Sequence, residues 1–386
     1  MRTLILSDLH LGSVSRSDLL RHEDLREPLL QAVKDVDRVV LLGDVLELRH
    51  GPMREAMVAA RPFFEDLGRA LDGGEVLITA GNHDHALLEP WLAARGAAGE
   101  PAPLAAEQLI EPSEASPALA QIAAWCTPAR VRVAYPGVWL REDVYAMHGH
   151  YLDCHLTVPT LERLSVAAMS RLLGRPADGF DCPGDYEAMG APVFAWRDAV
   201  ARDTRTGAAL NGMATVNAWS ALRGSSARSK KAGGRSASPL HQRLRRSLTR
   251  RAFRIAFPVA TSVLNRAGLG PLKATISTEE LRRAGLLAMG EVAARIGVVD
   301  AYVVFGHTHR TGPLPGDAEG EWRGRAGARL VNCGSWTYAP IFLTSEPGES
   351  PYWPGGCVLL EDSGPPTLLR LLQEHSHEQL KPSARA

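Results

Sequence analysis

Five short apolar runs in this chain each end in Asp, His or Asn, and that recurrence constrains the fold more than any bulk property. Leu4-Ile5-Leu6 leads into Asp8 and His10. Val39 to Leu42 ends in Gly43-Asp44, and Val76-Leu77-Ile78 ends in Gly81-Asn82-His83-Asp84. Val144 to Met147 ends in His148-Gly149-His150, and Ala301 to Phe305 ends in Gly306-His307-Thr308-His309. Helical stretches over about 18–34 and 53–71 separate the first three runs. That is strand–helix–strand–helix–strand, the pattern of parallel strands covered by helices. In such sheets ligands bind beyond the carboxyl ends of the strands, so the five termini are expected to converge on one crevice. Residues two apart on an extended segment point the same way, which would bring Asp8 with His10, and His307 with His309, into one pocket.

The rest of the chain divides around this pattern. Residues 89–129, rich in Ala, Pro and Glu, read as helix and loop. Strand signals recur over 131–133, 137–140 and 144–147, and again over 329–332, 357–360 and 367–371. Between them, residues 155–296 show helical patches and few strand signals. The simplest parse is a sheet-based core of 1–154 and 297–375, split by a helical cap insertion, with a frayed tail over 376–386. Within the insertion, residues 223–254 hold eleven Lys or Arg and no acid. His241 to Phe257 reads as a basic amphipathic helix suited to an anionic membrane, a lipid-linked substrate or, less well, nucleic acid, or simply to packing on the cap.

Composition closes off other classes. Lys plus Arg and Asp plus Glu each number 43, so no net charge draws the chain toward nucleic acid or a membrane surface. A hydrophobic share of 45% is enough for a large core and excludes a disordered chain. The five cysteines form no Cys-x-x-Cys pair, which argues against a disulfide scaffold and fits a reducing compartment. The first apolar run is too short for a signal peptide and no run reaches membrane-spanning length. A cytoplasmic protein is expected, with peripheral contact at the inner membrane face open to the basic segment.

The candidate ligands are oxygen and imidazole donors without thiolate, which suits Mn, Fe, Ni or Zn in a reactive site and not structural zinc. Seven of them are too many for one tetrahedral ion and enough for two if a carboxylate bridges. Paired ions roughly 3.5–4 Å apart are a known device for in-line attack at phosphorus. Two divalent ions against two carboxylates leave net positive charge to attract a phosphate.

The set of motifs resembles the calcineurin-like metallophosphoesterases. That family shows Asp-x-His, Gly-Asp-x-x-(Asp/Glu), Gly-Asn-His-(Asp/Glu), a separate His, and Gly-His-x-His. Here these are Asp8-Leu9-His10, Gly43-Asp44-Val45-Leu46-Glu47, Gly81-Asn82-His83-Asp84, His148 and Gly306-His307-Thr308-His309. The resemblance implies a four-layer α/β/β/α sandwich of two mixed sheets. It implies two divalent ions, Mn2+ first, with Fe, Zn or Ni as alternatives. Asp8, His10 and His309 would hold one ion, Asn82, His148 and His307 the other, and Asp44 would bridge. His83 would be the catalytic residue, with Asp84 orienting its ring. His148 is favoured over His150 as the isolated ligand because it directly follows the apolar run; His150 and Asn82 are candidates for substrate contact.

The Ser-Asp-Leu-His-Leu-Gly opening and the helical insertion resemble the UDP-2,3-diacylglucosamine diphosphatase branch, although His83 stands where that branch carries Arg. The implied activity is hydrolysis of a phosphodiester, pyrophosphate or phosphomonoester in a small or lipid-linked substrate. Alternatives are a nuclease of the same superfamily or a non-catalytic scaffold on the same fold.

Overall fold

The computed structural model describes residues 1–97, 103–158, 160–174, 179–202, 265–266, 270, 278–344 and 346–381. The basic segment 223–254 and its amphipathic helix lie outside the described residues. Strands β1 (Thr3–Leu6), β2 (Arg38–Leu42) and β3 (Glu75–Thr79) alternate with helices α1 (Glu23–Val33) and α2 (Met53–Leu71). Helix α2 buries Ala56, Ala60, Phe63, Phe64, Leu67 and Leu71, the three-to-four spacing that forms one apolar stripe. It stops where Asp72 and Gly73 enter the left-handed region. Residues 89–129 hold α3 (Glu89–Ala97), α4 (Pro112–Ala115) and α5 (Pro117–Trp125). They also hold β4 (Glu107–Ile110), an edge strand with no apolar alternation to announce it.

Strand β5 (Arg130–Arg141) replaces the two strands expected over 131–133 and 137–140. Strand β5 pairs with β3 through Val133 and with β6 (Val144–Met147) from Gly137, and Pro136 lies opposite Glu107 of β4 at an irregularity in the register, where a proline is tolerated. After the described insertion helices α6 (Leu161–Leu173), α7 (Pro183–Arg202) and α8 (Thr278–Arg295) come β7 (Tyr302–Phe305), β8 (Thr311–Gly312), β9 (Arg329–Cys333), β10 (Gly356–Leu360) and β11 (Thr367–Arg370).

The strands form one connected mixed sheet, ordered β11-β10-β1-β2-β3-β5-β6-β7-β9-β8, with β4 paired to β5. The two sheets implied by the resemblance are thus joined, because β5 belongs to both halves. Strands β1, β2 and β3 run parallel, as do β6, β7 and β9. Three apolar cores accompany this sheet. Leu4, Leu6, Val39, Leu41, Val76 and Ile78 pack with α1, α2 and α5. Met147, Val303, Phe305 and Leu330 pack with α8. The alternate residues Ile5, Val40, Leu42 and Leu77 form a third core with Val144, Ala146, Val304 and Val331 from the other half. Strands buried on both faces explain why these runs are continuously apolar.

The C-terminal stretch is not frayed throughout. Residues His377–Leu380 form a short helix, α9, under a capping box between Ser376 and Gln379, with Leu380 buried. His377 Nε2 donates to the Thr344 carbonyl at 2.7 Å.

Candidate metal centre

All seven predicted ligands meet at the carboxyl ends of β1, β2, β3, β6 and β7. Three groups bring one ligand atom from each residue within 4.8 Å of one another: Asp8, His10 and His309; Asp44, His148 and His307; and His10, Asp44 and His83. The first two groups meet at Asp44, whose Oδ2 lies 3.3 Å from His148 Nε2 and 3.7 Å from His10 Nε2. Its other oxygen accepts the His83 backbone N–H at 2.7 Å, so Oδ2 alone faces both groups.

The backbone behind this convergence is not extended. Asp8, His10, Asp44, His307 and His309 all have φ between 48° and 64°. Left-handed conformation in non-glycine residues is uncommon and concentrates at functional sites. The pairs separated by two therefore converge through tight turns past the strand ends, and the alternation of a strand does not operate there. The motif glycines exist for closeness: a Cβ on Gly43 would meet the His148 ring at 2.6 Å, and one on Gly306 would meet Asp8 Oδ2 at 2.4 Å.

Each candidate histidine has one ring nitrogen engaged from behind. His148 Nδ1 donates to the Leu42 carbonyl at 3.0 Å. His10 Nδ1 donates to Glu47 at 3.1 Å, and His307 Nε2 to Asp153 at 3.1 Å. His309 Nδ1 lies 3.3 Å from the Thr337 hydroxyl. Such partners fix the tautomer and leave the opposite nitrogen as a lone-pair donor. Those free nitrogens face one another, His10 Nε2 and His309 Nε2 at 3.2 Å. Asp8 Oδ1, fully buried and without a hydrogen-bond partner, lies 3.2 Å from His309 Nε2. Facing acceptors of this kind require a cation or a proton between them, so the donor set fits divalent metal. Asn82 can present either end. In one orientation Oδ1 lies 3.2 Å from His148 Nε2, where it could serve as a ligand oxygen. Reversed, its NH2 donates to His148, His307 and Asp44 while the oxygen accepts from Arg49 at 3.0 Å.

Electrostatics follow from the crowding. Burial alone would raise Asp8, Asp44 and Glu47, but neighbouring histidines outweigh it and hold all three below the usual carboxylate range. Burial would lower His148, yet Asp44, and then Asp8, bring it up to about 9. His10 and His307 are also raised against burial, His10 by Asp8 and Glu47, His307 by Asp153.

His83 lies beside the ligands, its ring edge-on to His10 with centroids 4.5 Å apart. Its Nδ1 donates to Glu47 Oε2 at 2.8 Å. The expected orienting partner, Asp84, does something else. Its carboxylate accepts backbone N–H groups from Asp44, Val45, Leu46 and Gly81 at 2.7–3.2 Å, pinning the second motif to the third. Burial pushes His83 down to about 4. His150 is also not where substrate contact was expected. It is buried against Phe194 and Tyr151, its ring nitrogens have no hydrogen-bond partner, and it borders a separate cavity of about 20 Å3.

Sequence reasoning gave no role to Asp153, Arg49 or His50, and quoted Glu47 only as part of a motif. Glu47 was findable from its spacing after Asp44; Asp153, five residues past His148, carried no signal. A cavity of about 410 Å3 opens over His10, Asp44, Asn82, His83, His307 and His309. Arg49 and His50 border it, with Leu152, Leu156, Leu281, Leu286, Phe342 and Tyr352 forming an apolar wall.

The arrangement can hold paired cations beside a cavity with an acid–base group. The family model for calcineurin-like phosphoesterases matches residues 1–178. That match supports the metallophosphoesterase family, whose members are generally metal-dependent phosphoester hydrolases. It contains Asp8, His10, Asp44, Asn82, His83 and His148; His307 and His309 lie outside it and join the centre through the β6–β7 pairing. No curated protein matches the chain. Among the described residues no helix is long and apolar enough to cross a membrane.

Proposed function

We propose that this protein is a dinuclear metal hydrolase of phosphate esters or anhydrides. The observation that carries the reading is Asp44 Oδ2, placed within 3.7 Å of histidines from both ligand groups. Asp8, His10 and His309 would hold one ion, Asn82, His148 and His307 the other, with Asp44 shared; Mn2+ is the favoured metal. When bound, such ions neutralise phosphoryl charge and make water a nucleophile at neutral pH.

The side chains supply the rest. Glu47 fixes Nδ1 of His83, leaving Nε2 to exchange a proton with the attacking or leaving oxygen. Arg49 adds positive charge at the cavity edge, and Asp84 keeps the His83 loop against the Asp44 turn. The apolar wall supports a substrate with an apolar part, such as the lipid-linked pyrophosphate of the UDP-2,3-diacylglucosamine diphosphatase branch, or a phosphodiester of similar character.

The same reading takes 1–154 and 297–375 as one core and 155–296 as its cap. Register between β6 and β7, Val144 opposite Tyr302, supports it, since the chain leaves and re-enters the same sheet. The three apolar cores support a helix–sheet–sheet–helix layering in which the two halves of the ladder face each other. The five cysteines form no disulfide, which supports a cytoplasmic protein, with the basic segment as a peripheral membrane contact.

The test is hydrolysis of bis-p-nitrophenyl phosphate and p-nitrophenyl phosphate by metal-stripped protein with Mn2+ restored, wild type beside Asp44→Asn. Metal-dependent release by wild type alone is expected. Equal release by both proteins would contradict the assignment.

A further inference from the structure

Glu187 belongs to the insertion, on α7, yet its buried carboxylate reaches two loops of the metal centre. One oxygen lies 3.0 Å from His85 Nε2. The other accepts the Tyr151 hydroxyl at 2.7 Å and also the Tyr135 hydroxyl. His85 is three residues past Asn82. Tyr151 is three residues past His148 and two before Asp153, which holds the His307 ring. Other side chains of α7 follow the same line. Tyr186 stacks on Tyr151 with centroids 4.7 Å apart, and Phe194 packs on His85 at 5.0 Å.

The loops so tied carry Asn82 and His148 together with the support of His307. The first ligand group is supported differently. His10 leans on Glu47, His309 on Thr337, and Asp8 accepts the His307 backbone N–H at 2.9 Å. None of these contacts involves α7. Burial alone would raise the Glu187 carboxyl; His85 and the two hydroxyls outweigh it and keep the group ionised.

Resting on the reading of the cluster as a metal centre, we infer that docking of α7 through Glu187 completes the second ion site, Asn82–His148–His307, and leaves the first site to the core alone. Glu187 is a positioning residue that makes occupancy of one ion depend on the pose of the insertion. A substrate that shifts the insertion would then change the affinity of one ion and spare the other.

The experiment is calorimetric titration of Mn2+ into the metal-stripped full chain, with circular dichroism and a thermal melt to verify folding. Asn82→Ala marks which binding step belongs to the second site. Wild type is expected to take two ions. In Glu187→Ala the Asn82 step weakens by about 10- to 100-fold, the range for supporting partners of metal ligands, and the other step does not move. Glu187→Gln keeps an oxygen for the tyrosines but not the charge facing His85. It is expected to fall between, and it serves as the test if the alanine variant does not fold. Tyr186→Phe loses the hydroxyl bond to His155 at 2.8 Å and should match wild type at both steps. Unchanged steps in folded Glu187 variants, or equal weakening of both, would overturn the inference. Wild type that binds no Mn2+ would instead remove the metal-centre reading on which it rests.

Discussion

Glu47 Oε2 lies 2.8 Å from Nδ1 of His83 and holds that ring in place of the adjacent Asp84. The same oxygen is 3.1 Å from His10 Nδ1, so one carboxylate orients both the proposed acid–base group and a proposed metal ligand. Glu47→Ala should therefore lower turnover and weaken the Asp8–His10–His309 ion together. The loss is expected at about 10- to 100-fold in metal affinity. Calorimetry beside steady-state rates measures both, and an effect on turnover with both ions bound as tightly as in wild type would reassign Glu47 to His83 alone.

His83→Ala is expected to reduce kcat by about 100- to 10,000-fold, the usual worth of a positioned acid–base group. Both metals should remain bound, because no metal is assigned to this ring. Full retained activity would remove it from the mechanism.

The pH dependence of His83 has a definite sign. Burial brings the ring down to about 4, so it is protonated only below that and neutral throughout the range above. Between pH 5 and 8 the profiles of kcat/KM for wild type and His83→Ala should share one shape and differ in height. A limb near neutrality that vanishes in the variant would show a ring protonated much more readily than its surroundings allow.

Metal binding should compete with protons. His148 in the metal-free protein is raised to about 9, so below that pH its ring holds a proton that an ion must displace. Apparent affinity should rise with pH up to about 9, with proton release visible as a dependence of binding heat on the buffer. Affinity independent of pH from 6 to 9 would contradict the ligand role of His148.

Gly306→Ala should abolish the centre while changing no ligand. The added Cβ would lie 1.9 Å from Ser7 Oγ, 2.5 Å from Ser7 Cβ and 2.4 Å from Asp8 Oδ2, so Ser7 and Asp8 must both shift. Loss of metal binding is expected, read by metal analysis of the purified variant.

The core strands and the convergence of their terminal Asp, His and Asn residues were legible because their signals are local. Apolar runs such as Val39 to Leu42 are strands buried on both faces, and each ends where the sheet delivers its residues. The supporting shell was not legible. Asp153 acts on His307 across 154 positions and Glu187 on His85 across 102, and no spacing in the chain encodes such pairs. Asp84 departs from what the resemblance implied. The resemblance implied that it orients the His83 ring, but the turn directs its carboxylate toward the backbone of Asp44 to Leu46. Strand β5 runs through both stretches expected as separate strands, 131–133 and 137–140, and changes partner from β3 to β6 between them.

The most direct test of the two-metal centre is a crystal structure grown with Mn2+ and measured for anomalous scattering. Two peaks are expected, one among Asp8, His10 and His309 and one among Asn82, His148 and His307, with Asp44 Oδ2 touching both. A single peak, or two peaks with Asp44 bound to one alone, would contradict it.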